Sequence, residues 1–60
     1  MNEYYGVIYM LYKNGTSTQF LLIQESVSKP EDSYRTIIFG DMWVNWFDTK
    51  EAAESYILEV

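Results

Sequence analysis

Two kinds of hydrophobic spacing divide the chain. Short stretches dense in aromatic and β-branched residues occupy residues 4–12, 18–25, 34–39 and 42–47. Such stretches are typical of β-strands. From residue 48 onward the apolar positions follow the spacing i, i+3, i+4, i+7, which is typical of an amphipathic helix. The pattern therefore predicts β-β-loop-β-β-α, with the proline-containing residues 26–33 as the loop.

The first two predicted strands are separated by Asn14-Gly15. Asn-Gly favours a two-residue type I′ turn, whose central residues both need positive φ, and this turn would place Tyr9 opposite Phe20. One face of the hairpin is then predicted to carry Tyr5, Val7, Tyr9, Leu11, Phe20 and Leu22, and the other Ile8, Met10, Tyr12, Leu21 and Ile23. Both faces are therefore expected to be apolar, and one helix can cover only one of them.

A second tight turn is predicted at Gly40-Asp41, because a type II′ turn takes glycine at its first central position. Trp43 and Trp46 lie on opposite faces of the predicted strand, because they are three residues apart. Trp43 and Phe47 are then predicted to share a face with Tyr34 and Ile38, and Trp46 to share the other with Ile37, Phe39, Met42 and Val44. Core packing is the expected role for most of these side chains, whereas an exposed tryptophan would mark a binding surface.

The predicted helix begins with a capping arrangement, with Asp48 as N-cap and Glu51 at the third helical position. Its apolar side is predicted to consist of Ala53, Tyr56, Ile57 and Val60. An antiparallel sheet with this helix on one face is an α+β fold, and residues 1–60 are expected to form a single domain. The other face would be exposed or covered by another molecule, and the pattern does not indicate which face the helix takes.

Composition argues for a binding protein. The sequence has 60 residues, of which 48% are hydrophobic and 18% aromatic, and it lacks cysteine and histidine. A chain of this size buries only about 60% of its unfolded surface, so some apolar surface is expected to meet a partner. Without cysteine or histidine, and with no spacing that suggests a nucleophile, catalysis is the least expected function. No cofactor or metal site is predicted.

The net charge of the chain indicates which kind of partner to expect. Nine acidic residues against four basic ones give a net charge of −5, which argues against direct binding to nucleic acid and favours a basic partner. A simpler interpretation is that the charge keeps a hydrophobic protein in solution. The first eleven residues carry an acid where a signal peptide has bases, and their apolar stretch is shorter than the ~20 residues that a membrane span needs. The expected location is the cytoplasm.

Three acids lie at the end of the second strand and in the loop that follows. Glu25 is separated by six or seven residues from Glu31 and Asp32. Six extended residues span up to roughly 20 Å, which is enough for the acids to follow a basic groove. Acids of this kind are also ordinary at a solvated strand edge or loop.

The segment FLLIQESVSKPED, residues 20–32, resembles part of the phage uracil-DNA glycosylase inhibitors of the Ugi type. In that family Gln-Glu-Ser and an apolar residue follow an apolar strand, and a proline followed by acids comes next. The matching residues here are Gln24, Glu25, Ser26, Val27, Pro30, Glu31 and Asp32.

The resemblance implies a DNA mimic that binds the glycosylase in place of DNA. Glu25 would be the principal anchor, Ser26 a neighbouring hydrogen-bonding group, and Val27 part of the rim of a cavity between sheet and helix that receives an apolar side chain of the enzyme. Gln24 matches the motif without an assigned role. Glu31 and Asp32 are both candidates for the later acidic contact.

Two alternatives remain open at this point. The same acidic surface would suit an inhibitor of a different nucleic-acid enzyme, such as a nuclease of host defence. A bare hydrophobic face would instead suit a homodimeric structural or assembly module. Binding of a glycosylase or of a basic nuclease would distinguish the two kinds of inhibitor, and the oligomeric state would test the homodimeric module.

Overall fold

The computed structural model describes residues 1–59. Its elements, in chain order, are β1 Asn2–Tyr12, β2 Ser17–Ser26, β3 Ser33–Ile37, β4 Gly40–Phe47 and α1 Lys50–Glu59. The strands form one antiparallel sheet in the order β2-β1-β4-β3, and α1 packs against it. The predicted α+β fold, with four strands and a C-terminal helix, is confirmed.

The first hairpin has a different turn from the predicted one. The carbonyl of Tyr12 accepts a hydrogen bond from the Gly15 N–H at 3.0 Å, and the Tyr12 N–H donates to the Thr16 carbonyl at 2.8 Å. Gly15 has a φ of 90°, whereas Asn14 does not have a positive φ. A type I′ turn needs both, so Lys13, Asn14 and Gly15 form a three-residue loop of the kind that ends in a G1 bulge. The predicted two-residue turn is wrong.

The extra turn residue shifts the pairing of β1 with β2 by one position. Tyr9 lies opposite Gln19, and Phe20 lies opposite Ile8. Since side chains alternate along a strand, a shift of one residue exchanges the two faces of β2. Phe20 therefore shares a face with Ile8, and Leu21 shares a face with Val7. The predicted grouping of the β1 side chains was correct, but each β2 side chain was assigned to the wrong face relative to β1.

The second hairpin turns at Ile38-Phe39, so the predicted turn at Gly40-Asp41 is wrong as well. Gly40 instead begins β4. A Cβ at this position would collide with the backbone carbonyl oxygen of Leu11 on β1, so the close approach of the two strands requires glycine here.

The tryptophans nevertheless lie on the predicted faces. Trp43 pairs with Tyr34, and Ile37, at the end of β3, pairs with Gly40. The predicted and observed pairings differ by an even number of residues, which keeps each side chain on the same face. Ile38 and Phe39 are the exceptions, because they form the turn and are 85% and 63% exposed.

The helix is capped by Thr49, whose Oγ1 accepts a hydrogen bond from the Ala52 N–H at 3.1 Å. The predicted cap, Asp48, is wrong by one residue. Aspartate and threonine both favour the N-cap position, and the helix begins directly after Thr49.

The predicted apolar side of the helix contacts the sheet. Ala53 is fully buried and Tyr56 and Ile57 are half-buried, whereas Val60 lies outside the described residues. The Asn45 side chain donates to the Tyr56 hydroxyl at 3.1 Å, and the rings of Phe47 and Tyr56 lie 5.3 Å apart. These contacts show which face of the sheet the helix covers.

The sheet thus has a helix face and an open face. The helix face carries Tyr5, Val7, Tyr9, Leu21, Ile23, Trp43, Asn45 and Phe47. The open face carries Tyr4, Ile8, Met10, Phe20, Leu22, Met42, Val44 and Trp46. The Cα atoms extend over 38 × 22 × 12 Å, and the shortest dimension leaves room for the sheet and one helix layer only. Nothing within residues 1–59 covers the open face.

The helix α1 contains ten residues. Among the described residues, no helix has the length and apolar character needed to cross a membrane.

Candidate protein-binding edge

The motif residues Gln24, Glu25 and Ser26 end β2, which is an outer strand of the sheet. Tyr12 and Thr16 form a hydrogen-bonded pair, and such pairs alternate along an antiparallel ladder. The backbone groups of Glu25 and other odd-numbered β2 residues therefore point away from β1, toward an edge that no strand of the described chain occupies. A partner at this edge would meet both backbone hydrogen-bonding groups and the exposed Glu25 side chain.

Glu25 has a second acid directly across from it. Glu3 of β1 pairs with Glu25, and both side chains are exposed. Their pair is of the non-hydrogen-bonded kind, in which the side chains come closest, and like charges in this position destabilise a sheet. The Tyr5 hydroxyl donates to the Glu3 carboxylate at 3.5 Å. The corner of the sheet therefore holds two carboxylates whose repulsion a basic partner would relieve.

The predicted register did not place Glu3 opposite Glu25. A two-residue turn would have placed Tyr4 opposite Glu25. The shift of one residue moves Tyr4 to Gln24 and Glu3 to Glu25. The signal that could have identified this acid was the three-residue alternative for the Asn-Gly turn.

The loop of residues 27–32 leaves this edge and crosses the end of the sheet, because β2 and β3 are its two outer strands. Val27 is 81% exposed and Glu31 is exposed, while Pro30 is half-buried. Ile23 is 55% exposed and lies near the end of β2. Exposed apolar side chains therefore flank Glu25 on both sides in sequence.

Asp32 has a structural role. Its Oδ1 accepts a hydrogen bond from the backbone N–H of Trp46 at 2.8 Å. Trp46 lies on β4 beyond the last residue paired with β3, which is Val44 opposite Ser33. The carboxylate of Asp32 thus replaces the backbone acceptor that a longer β3 would have supplied. Of the two later acids, Glu31 is the better candidate for contact with a partner.

The cavity implied by the resemblance has no counterpart at the centre of the helix face. Val7 and Ala53 are fully buried there, so the helix packs directly on the sheet. An open pocket of about 440 Å³ lies instead beside the first turn, lined by Tyr12, Lys13, Asn14, Thr16 and Phe39. Val27 is in the loop after β2, at the other end of that strand from this turn.

Among the described side chains, those of residues 1–58, no three acidic groups lie closely enough together to hold a metal ion. Serine and lysine are present, but no hydrogen bond between described residues joins a serine hydroxyl to a lysine or a carboxylate.

Comparisons with known proteins do not assign the chain to a family. No family model, curated protein or solved structure matches it. Its own residues are the basis for any functional proposal.

Proposed function

We propose that the protein is a stoichiometric inhibitor of uracil-DNA glycosylase, which it blocks by occupying the DNA-binding groove as an acidic DNA mimic. The position of Glu25 carries this proposal. It ends an unpaired sheet edge, it lies opposite Glu3, and an exposed loop with Glu31 follows it. The resemblance of residues 20–32 to inhibitors of the Ugi type names the target.

Charge would act mainly on the rate and specificity of association. A protein of net charge −5 is attracted to a groove that binds phosphates, and complementary potentials raise association rates and reject wrong partners. The carboxylates of Glu3 and Glu25 would each gain a cationic partner and lose their mutual repulsion in the complex.

Apolar contacts would supply much of the affinity. In the inhibitors that the sequence resembles, an apolar side chain of the enzyme enters a hydrophobic cavity. Here Ile23 and Val27, which are 55% and 81% exposed, flank Glu25 and offer apolar surface for such a side chain. Buried apolar anchors surrounded by polar groups are the usual source of binding energy at protein interfaces.

The proposal implies a protein without turnover or cofactor that acts in the cytoplasm. If a phage encodes the chain, this is the cytoplasm of the host cell, where the glycosylase meets DNA.

The first experiment is a titration of the purified protein into a uracil-excision assay with an Ung-family glycosylase and a uracil-containing oligonucleotide. We expect complete loss of cleavage at about one protein per enzyme, and a complex of the two proteins that survives gel filtration. Full cleavage at a large excess of the protein would reject the proposal. The same edge would then be tested against basic nucleases.

The site itself is tested by Glu25→Ala, with Glu51→Ala as the matched control. Both changes remove one exposed carboxylate, but Glu51 is in the first turn of α1. Loss of a charge paired across an interface commonly costs 2 kcal/mol or more, so we expect the inhibition constant to rise at least ~10-fold for Glu25→Ala. For Glu51→Ala we expect a change below about twofold. Equal effects of the two changes would contradict the assigned site.

A further inference from the structure

The open face is an apolar surface that the chain leaves uncovered. Phe20 is 45% exposed and lies opposite Ile8 on β1, which in turn lies opposite Val44 on β4. Arg35, on the outer strand β3, is the sole charged residue on this face of the described strands. Contiguous apolar surface of this kind is typical of an interaction site.

The side chain of Trp46 lies flat against β1 on the open face. Its indole ring lies over Gly6, and a Cβ at Gly6 would be 2.9 Å from the nearest ring atom. Gly6 is buried and pairs with Trp46 across the β1–β4 ladder. The absence of a side chain at position 6 thus lets the indole lie against the strand, which favours packing of a second flat layer.

The distribution of charge indicates what kind of molecule would cover the open face. The acids Glu3, Glu25 and Asp41 are on the other side of the sheet, and Glu51 and Glu54 are on the helix. A basic partner would find no carboxylate on the open face of the described strands. A second copy would find a matching apolar surface, and its own acidic helix would point away from the first.

We propose that a second copy of this chain covers the open face, so that two sheets pack face to face in a homodimer with a helix on each outer side. Sheets in such sandwiches lie ~10 Å apart with interdigitating side chains. The proposal concerns a different surface from the glycosylase-binding edge and does not depend on it.

The area is sufficient for a specific dimer. Four strands spaced ~4.8 Å apart, each contributing about seven residues of ~3.3 Å, give a flat footprint of roughly 400 Å² per copy. The accessible surface of protruding side chains exceeds this footprint, so two copies would together bury on the order of 1,000 Å² or more, as a specific interface requires.

The small core of this chain also favours a dimer. Val7 and Ala53 are the hydrophobic side chains that are fully buried among the described residues. A single core in a domain of this length supplies little stability, and natural small domains often add a disulfide, a metal or an oligomer. The sequence has no cysteine, and the described residues contain no metal-binding group of acids. Dimerisation through the open face would supply the missing burial.

The test is sedimentation equilibrium of the full chain and of two variants of β2. Phe20→Glu places a charge on the open face, and Ile23→Glu places the same charge on the other face of the same strand. We expect the wild-type chain to sediment at twice its 7.1 kDa at micromolar concentration. We expect Phe20→Glu to raise the dimer dissociation constant at least 100-fold and Ile23→Glu to change it less than threefold.

A wild-type chain that remains monomeric at 100 µM or above would overturn the proposal, as would equal effects of the two variants. Circular dichroism shows whether each variant folds. If Phe20→Glu does not fold, isotope-filtered nuclear Overhauser spectra of mixed labelled and unlabelled wild-type chains provide an independent test. Contacts between copies at the Ile8 and Val44 methyl groups would support the face-to-face dimer, and contacts confined to Ile23 or Val27 would reject it.

The inhibition assay distinguishes the two proposals. Face-to-face packing leaves the outer edge of β2 at the side of the dimer, so Phe20→Glu should retain inhibition per chain while losing the dimer. A dimer without inhibition would support this proposal and reject the glycosylase as target.

Discussion

Asp32 joins the acidic loop to the sheet by its 2.8 Å hydrogen bond to the Trp46 N–H. Asp32→Ala removes the acceptor, and we expect it to lower the free energy of unfolding by about 1 kcal/mol, the usual value of one such bond. Asp32→Asn should retain most of the stability because its amide oxygen can still accept. Urea denaturation of both variants measures the difference, and an unchanged midpoint for Asp32→Ala would contradict the structural role.

Glu3 and Glu25 form the like-charged pair at the corner of the sheet. We expect Glu3→Gln to raise the unfolding free energy by up to about 0.5 kcal/mol at low salt, because cross-strand repulsion is removed. In 1 M salt the gain should disappear, since the Debye length falls to ~3 Å. Glu31→Gln is the control, because Glu31 is a loop residue without a cross-strand partner. The same salt-dependent gain in Glu31→Gln would show that overall charge, and not the pair, is responsible.

At the scale of the elements, the hydrophobic pattern predicted the type and order of all five, but their ends depended on choices that the local sequence leaves open. Asn-Gly suits a two-residue turn and also a three-residue loop with glycine in the left-handed position. That single choice reversed the predicted faces of β2. The error at Gly40-Asp41 left the faces intact because the pairing moved by an even number of residues.

The helix N-terminus presented a similar choice between two adjacent residues. Thr49 accepts the hydrogen bond from Ala52, whereas Asp48 precedes the cap. We expect Thr49→Ala to reduce stability by about 1 kcal/mol, the typical value of an N-cap. Asp48→Ala, its neighbour and control, should have less than half that effect. Thermal or urea unfolding compares the two, and a larger loss for Asp48→Ala would assign the cap to Asp48.

At the scale of the whole molecule, the candidate edge depends on strand order, which periodicity does not determine. The order β2-β1-β4-β3 puts Glu25 on an outer strand, and the same four strands in another order could have placed it inside the sheet. An uncovered apolar face, by contrast, follows from two apolar sides and one helix, and could be predicted. Which side it is could not, because both sides of the predicted hairpin were equally apolar.

The two proposed associations should respond differently to ionic strength. A charge-steered complex at the β2 edge forms more slowly as salt screens the attraction, so between 50 and 500 mM NaCl we expect the association rate with the glycosylase to fall at least ~10-fold.

The dimer joins apolar faces and separates copies that each carry a net charge of −5. Salt screens their repulsion, so the dimer dissociation constant should stay constant or decrease. Stopped-flow binding and sedimentation at matched salt concentrations measure the two responses. If both associations weakened in parallel, a single acidic surface would have to serve both, and the assignment of separate surfaces would be wrong.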